Sequence, residues 1–201
     1  MPDTGAPYFI PFADPTDLVR DWPALSEDVA EAVADGLDEA GNAGIGSNVV
    51  QTVKTDTFST TSASFTAVTG LSVTITPSSA TSKVLIVAQI SPGVSGEPLN
   101  AANFRLSGGN TSGYVGDAAG SRVRATMSVG RGRTDWPLVS LSSGLTISFL
   151  DSPGTASAVT YEVEVNRGGA GTAFVNRSGE YANNAGASTM TSSITVIEVA
   201  A

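Results

Sequence analysis

The stretch FTAVTGLSVTITPSSATSKVLIVAQI, residues 65–90, decides the fold of this chain. In its segment LSVTITP (71–77) every second side chain is apolar, which is typical of a strand with one buried face. The segment KVLIVAQI (83–90) is apolar on both faces and predicts a central strand. PSSATS (77–82) lies between them and is rich in turn-forming residues, so we expect a hairpin connection there.

Similar segments recur from residue 49 to the C-terminus, separated by loops that carry Gly, Pro, Asn and Asp. No helical periodicity appears after residue 41. Ten or eleven short strands of this kind predict a mainly β protein, an antiparallel β-sandwich of jelly-roll type. The segments are VVQTVKT (49–55), SFTAVT (64–69), LSVTITP (71–77), KVLIVAQI (83–90), NFRLSG (103–108), RVRATMSV (122–129), WPLVSL (136–141), LTISFLD (145–151), AVTYEVEVN (158–166), TAFVN (172–176) and MTSSITVIEV (190–199).

The front of the chain differs in charge from everything behind it. Residues 1–41 hold ten acidic side chains and one basic one, Arg20, and so carry a net charge of −9. The whole chain also carries −9, so residues 42–201 sum to zero. We therefore predict an N-terminal segment (1–41) that serves as an anchor or oligomerisation element, a Gly-rich linker (42–47) and a separate displayed β domain (48–201).

Two apolar features mark the N-terminal segment as an interface. Its first residues combine three prolines with aromatic and aliphatic side chains, which predicts an extended arm. A helix with one apolar stripe is predicted from after Asp21 to about Ala40, and alone it would be marginal in water. The predicted interface residues are Tyr8, Phe9, Ile10, Phe12, Leu18, Trp22, Leu25, Val29, Val33 and Leu37. The alternatives are that the arm packs on its own helix and that the stripe folds back onto the β domain.

Composition removes several classes of function. The chain contains neither Cys nor His, which excludes Ser-His-Asp triads, Cys-His pairs and most zinc, copper and iron sites. Its two Lys and eight Arg are scattered, which argues against a nucleic-acid partner. No signal peptide and no run near the ~20 apolar residues of a membrane span is visible. We expect no cofactor, no metal and no membrane partner.

Several quoted motifs resemble those of virion proteins from marine and actinobacterial phages. The core of that resemblance is the series T-G-L-S-x-x-I-T-P-S-S-A-x-S-K-x-L, here residues 69–85, and it extends to the C-terminal stretches FLDSPGTASAVTYEVEV and SSITVIEVAA. The matching residues are Gly70, Leu71, Ser72, Ile75, Thr76, Pro77, Ser78, Ser79, Ala80, Ser82, Lys83 and Leu85. The front piece, PYFIPFADPTDLVRDWPALSEDVAEAVADGLD, is similar to the N-termini of minor tail proteins of actinobacterial phages.

The resemblance implies a non-enzymatic structural protein of a phage virion. It implies an N-terminal segment docked to other virion proteins, a displayed β domain, a homotrimer, and host-surface contact as a minor tail protein exposed on the extracellular particle. The alternatives are a capsid decoration protein or head fibre, and a carbohydrate-binding adhesin.

Two loops supply candidates for surface contact. Tyr114, in NTSGYVGDAAGSR (110–122), has the side chain to stack on a sugar ring, with a core or trimer-contact tyrosine as the alternative. Arg131 and Arg133, in VGRGRTDW (129–136), could meet an anionic host-surface glycan, with a solvated hairpin as the alternative.

One pair of acids invites a glycosidase interpretation that the sequence does not favour. Glu162 and Glu164 are spaced i, i+2, so they lie on one strand face, whereas glycosidase carboxylates flank a cleft. We therefore predict that both are surface residues without a catalytic role.

Overall fold

A computed structural model describes residues 27–36, 45–96, 100–130, 144–179 and 188–200. Within these ranges it contains one α-helix, α1 (27–36), a single 3₁₀ turn at Thr111–Gly113, and eleven strands. The strands are β1 (Ile45–Lys54), β2 (Phe58–Thr60), β3 (Thr66–Ile75), β4 (Lys83–Ile90), β5 (Pro92–Ser95), β6 (Ala101–Ser107), β7 (Met127–Gly130), β8 (Leu145–Asp151), β9 (Val159–Gly168), β10 (Thr172–Val175) and β11 (Ser192–Val199).

Eight strands form two four-stranded sheets with jelly-roll topology. The front sheet has the order β1-β11-β4-β8 and the back sheet the order β3-β9-β6-β7, with antiparallel pairing throughout. The pairs are nested, because β1 pairs with β11, β3 with β9, β4 with β8 and β6 with β7. A long hairpin rolled up on itself produces this pattern, so the predicted β-sandwich of jelly-roll type is confirmed.

The core between the two sheets is mainly aliphatic. Alternate residues of each strand point into it, as the period of two requires. Tyr161 and Phe104 are its largest fully buried side chains, and most of the others are Val and Ile. The predicted alternation of LSVTITP is confirmed, since Leu71, Val73 and Ile75 are all buried. KVLIVAQI is confirmed as a central strand because β4 pairs with both β11 and β8.

The predicted hairpin at 77–82 is wrong. β3 belongs to the back sheet and β4 to the front sheet, so the connection crosses from one sheet to the other. The core explains this: the inward face of β3 and the inward face of β4 line the same core from opposite sides. A hairpin would have placed both strands in one sheet, where their apolar faces could not pack against each other across the core.

Other predicted strands differ from the structure in their bounds. The segments 64–69 and 71–77 form the single strand β3, which passes through Gly70 at a φ of +81° and shifts register there. RVRATMSV is a strand only from Met127, and the residues before it form a loop. The short strands β2 and β5 lie outside the predicted segments. β5 (PGVS) begins with Pro and Gly, which weaken a strand pattern, and β2 (FST) has only three residues. The segment 136–141 lies outside the described residues.

A third sheet continues the front sheet past a bend. This end sheet has the order β2-β10-β5, which repeats the order β1-β11-β4 with the strands next to them in sequence. Asn176 lies at the bend with a φ of +65° and is fully buried. Its Nδ2 donates to the carbonyls of Lys54 (2.8 Å) and Asp56 (2.9 Å), and its backbone N–H donates to Ser91 O (2.8 Å). Its Oδ1 accepts from Ser192 Oγ (2.6 Å). Through its side chain and its backbone, one residue thus joins three strand-to-strand junctions.

The structure describes only part of the N-terminal segment, residues 27–36. Helix α1 (27–36) lies inside the predicted helix, and it carries Val29, partly exposed, and Val33, 44% exposed. β1 begins at Ile45, inside the predicted linker (42–47), because Ile45 already pairs with Val199. The other predicted interface residues lie outside the described residues: Tyr8, Phe9, Ile10, Phe12, Leu18, Trp22, Leu25 and Leu37.

Candidate assembly surfaces

The motif of residues 69–85 and the C-terminal motif SSITVIEVAA meet at a buried carboxylate. Glu198, near the end of β11, accepts hydrogen bonds at Oε1 from the backbone N–H (2.7 Å) and hydroxyl (2.5 Å) of Ser78 in the 76–82 connection. Asn48 Nδ2 donates to its Oε2 (3.4 Å) and to Thr76 O (2.9 Å). Burial acts to raise the pKa of Glu198, but the hydrogen bonds from Ser78 and Asn48 outweigh it and hold the pKa below its usual value. The motifs therefore form a structural latch that closes one end of the sandwich.

Replacing Glu198 by Gln should remove a pH-dependent part of the stability. Because the folded-state pKa is lowered, the contribution is present above the ordinary pKa near 4.5 and is lost as the pH falls through the folded value. We expect Glu198→Gln to lower the free energy of unfolding by about 1–3 kcal/mol at pH 7, with the difference from the parent shrinking below about pH 4. Urea unfolding between pH 7 and pH 3 measures this. Ser78→Ala should show the same trend, and a difference that does not change with pH would contradict the latch.

A second buried carboxylate links the two sheets. Asp151, the last residue of β8, is fully buried and accepts the Tyr161 hydroxyl of β9 at 2.7 Å and the backbone N–H of Asn110 at 3.2 Å. Burial, followed by the bond to Asp151, raises the pKa of Tyr161 far above its usual range. Gly109 has a φ of +51°, and a Cβ there would overlap the Asp151 carboxylate. Sequence reasoning missed this contact, because nothing local marks Asp151 as buried.

Tyr114 makes contacts within the fold that use part of the side chain predicted to bind a sugar. Its ring stacks on Phe149 with centroids 4.4 Å apart, and its hydroxyl donates to Leu150 O at 2.9 Å. Burial, with a smaller effect of the Asp151 charge, raises the pKa of Tyr114. One ring face and the hydroxyl are thus used to attach the loop after β6 to the front sheet.

Tyr114 also lies far from the base of the loop that carries the two candidate arginines. Gly130, which precedes that loop, pairs with Ala101 at the start of β6, whereas Tyr114 follows the end of β6. Arg131 and Arg133 themselves lie outside the described residues. The surface-contact role of these three residues stays a prediction.

Glu162 and Glu164 are surface residues with protein partners. Glu164 forms an ion pair with Arg105 at 2.5 Å, and Arg105 also lies over the Phe65 ring, 4.1 Å from its centroid. Glu162 accepts from Ser107 Oγ at 3.0 Å. Both contacts follow the β6–β9 register, so they are cross-strand pairs of the back sheet. The described residues contain no group of three or more acids arranged to hold a metal ion.

The outer surface of the front sheet carries a continuous apolar row. Val49, Ile197, Leu85 and Leu150 are paired in register across all four strands. Val49 is 53% exposed and Leu150 46% exposed. Among the outward-facing residues of these strands that the structure describes, only Lys83 is charged. We call this surface the front face, and exposed apolar side chains in a continuous row are common in protein–protein contacts.

A second candidate surface lies beside β7, the edge strand of the back sheet. A groove of about 510 Å³ separates β7 from the loop 116–126, and we call it the β7 groove. Arg122, Val123 and Arg124 are exposed on its loop side, and Met127 and Asn103 lie on its sheet side. It therefore combines two arginines with the apolar side chains of Val123 and Met127.

The fold and its polar contacts thus define a jelly-roll domain with two exposed surfaces suited to assembly. No family model matches the chain, and no curated protein matches it significantly. None of the described helical residues forms a segment long and apolar enough to cross a membrane.

Proposed function

We propose that this chain is a non-enzymatic structural protein of a phage virion. Its N-terminal segment docks to the particle and its jelly-roll domain is displayed, in the manner of a minor tail protein that contacts the host surface. The observation that carries the proposal is the acidic helix α1, which precedes a jelly roll with a core of its own and keeps Val33 44% exposed. An apolar side chain left outside the domain core is available to a partner.

The polar groups of the jelly roll support a structural role. The buried carboxylates Asp151 and Glu198 bond to neighbouring strands and loops, and Glu162 and Glu164 form cross-strand pairs. Each of these acids already has a partner that stabilises the fold. Jelly rolls also occur in viral capsid and lectin domains, which is an analogy at the level of fold.

A capsid decoration protein or head fibre has the same need for an anchor and a displayed domain. The apolar front face suits lateral packing in either location. Gold labelling of a tagged chain on intact particles distinguishes them, since label on the tail supports the minor tail protein and label on the shell supports the decoration protein. Absence of label from purified particles would contradict both.

The anchor can be tested with a matched pair of helix variants. Val33→Asp places a charge on the apolar stripe, whereas Ala34→Asp places the same charge on the side of the helix that holds Glu27 and Glu31. We expect Val33→Asp to reduce incorporation into particles at least about tenfold, because burying an unpaired charge is costly, and Ala34→Asp to leave it nearly unchanged. Quantitative blotting of purified particles measures this. Equal incorporation of the two variants would overturn the docking role of the stripe.

A further inference from the structure

We propose that the β7 groove binds the acidic helix α1 of a second copy of this chain. The inference concerns self-association of the purified protein and does not depend on its place in a virion.

The loop wall of the groove is held in place before any partner binds. Gly116 N–H donates to Ala125 O at 3.1 Å and closes the loop at its base. Thr126 bonds through its hydroxyl to Tyr114 O (2.6 Å) and through its N–H to Phe104 O (2.9 Å). Little ordering is therefore needed when a partner binds, which favours affinity.

The groove has arginine charge that the domain does not use. Within the described residues neither Arg122 nor Arg124 forms an ion pair. Arg124 donates one hydrogen bond, from its Nε to Gly116 O at 2.7 Å. The other three described arginines are engaged elsewhere: Arg105 with Glu164, Arg167 with the carbonyls of Thr61 and Gly169, and Arg177 over the Phe174 ring. Asp117 offsets part of the positive charge of the groove lining.

Helix α1 matches the groove in both charge and apolar character. It carries four acids, Glu27, Asp28, Glu31 and Asp35, and no base. Glu27 and Glu31 are four residues apart and lie on one side of the helix, within reach of a pair of arginines. On that side of the helix the apolar contacts come from Ala30 and Ala34, which can meet Val123, 48% exposed. Val33 lies on the opposite side, in the stripe proposed to dock to the particle.

The occupant belongs to a second copy because the single chain leaves both surfaces open. The acidic side of α1, with Glu27 and Glu31, is exposed, and Val123 is 48% exposed in the same chain, so α1 does not fill its own groove. The front face is a poorer match for the helix, because Lys83 is its one described charged residue and would face four acids. An anionic sugar is a poorer ligand, because none of the described residues that line the groove is aromatic. Helix-in-groove contacts between different surfaces are heterologous and generate rings or chains of copies.

Sedimentation velocity of the full-length protein over a concentration series tests the inference. We expect concentration-dependent association that weakens when the salt is raised from 50 to 500 mM, because exposed charges are screened. The double variant Arg122→Glu/Arg124→Glu should weaken association at least about tenfold, since it turns attraction into repulsion. Combining it with Glu27→Arg/Glu31→Arg should restore association. Lys83→Glu is the matched control and should have no effect.

Three results would overturn the inference. One is a protein that stays monomeric at every concentration and salt. Another is association that the groove variant leaves unchanged. The third is loss of association in Lys83→Glu alone, which would assign self-association to the front face. Far-UV circular dichroism and the melting temperature of each variant show whether the jelly roll is intact, and the charge-swap rescue separates lost contacts from misfolding.

Discussion

Replacing Asn176 by Asp should lower the free energy of unfolding by about 4 kcal/mol and the melting temperature by about 10 °C. The carboxylate cannot donate, so the carbonyls of Lys54 and Asp56 would each lose a hydrogen bond and face a buried negative charge instead. The position is fully buried at the bend between the front and end sheets, and the side chain bonds across strands more than 100 residues apart. Thermal unfolding followed by circular dichroism measures the effect.

Two further variants separate the backbone from the side chain at this position. Gly tolerates the positive φ of residue 176 but removes the side-chain bonds, whereas Ala removes the bonds and adds strain of about 1 kcal/mol. We expect the loss of stability to increase in the order Asn176→Gly, Asn176→Ala, Asn176→Asp. An aspartate variant as stable as the glycine variant would show that the two Nδ2 bonds do not hold the bend.

Replacing Asp151 by Ala should destabilise the domain by about 3–4 kcal/mol. The change leaves the buried Tyr161 hydroxyl and the Asn110 N–H without their acceptor, and it disconnects β8 from β9 at the end of the sandwich. Tyr161→Phe keeps the ring in the core but leaves the carboxylate with one donor fewer, so we expect a smaller loss of about 1–3 kcal/mol.

A double-mutant cycle isolates the contact between the two sheets. If the 2.7 Å bond between Tyr161 and Asp151 carries the effect, the double variant should be more stable than the sum of the single losses predicts. Urea unfolding of the parent, both single variants and the double variant supplies the four free energies. Strict additivity would mean that the two residues act independently and that the bond contributes little.

Local sequence pattern was sufficient to predict much of the fold. β4 and β8 have the predicted bounds, and the alternation in 71–77 identified the buried residues of β3 correctly. Side-chain periodicity along a strand is a property of a few consecutive residues, so it can be read without knowing the partners. Short strands such as β5, which begins Pro-Gly, carry too weak a pattern to be predicted.

The candidate surfaces were less accessible to sequence reasoning. The stripe residues Val29 and Val33 follow from helical periodicity, and both lie on the described helix. Arg122 and Arg124 were assigned to a strand, and only the loop conformation before Met127 exposes them beside β7. The apolar row from Val49 to Leu150 depends on the register of four strands, and no local pattern contains that register.

By itself the sequence determined that the described part of residues 48–201 is a sandwich of short strands and that the net negative charge lies in residues 1–41. Only the tertiary structure decided how the strands pair, why 76–82 crosses between sheets, and which polar residues are buried. Ser78 meets Glu198 across 120 positions, and Asn176 meets Lys54 across 122. Such contacts form because each buried polar group must find a partner once the core has closed, and the partner is set by the packing of the whole chain.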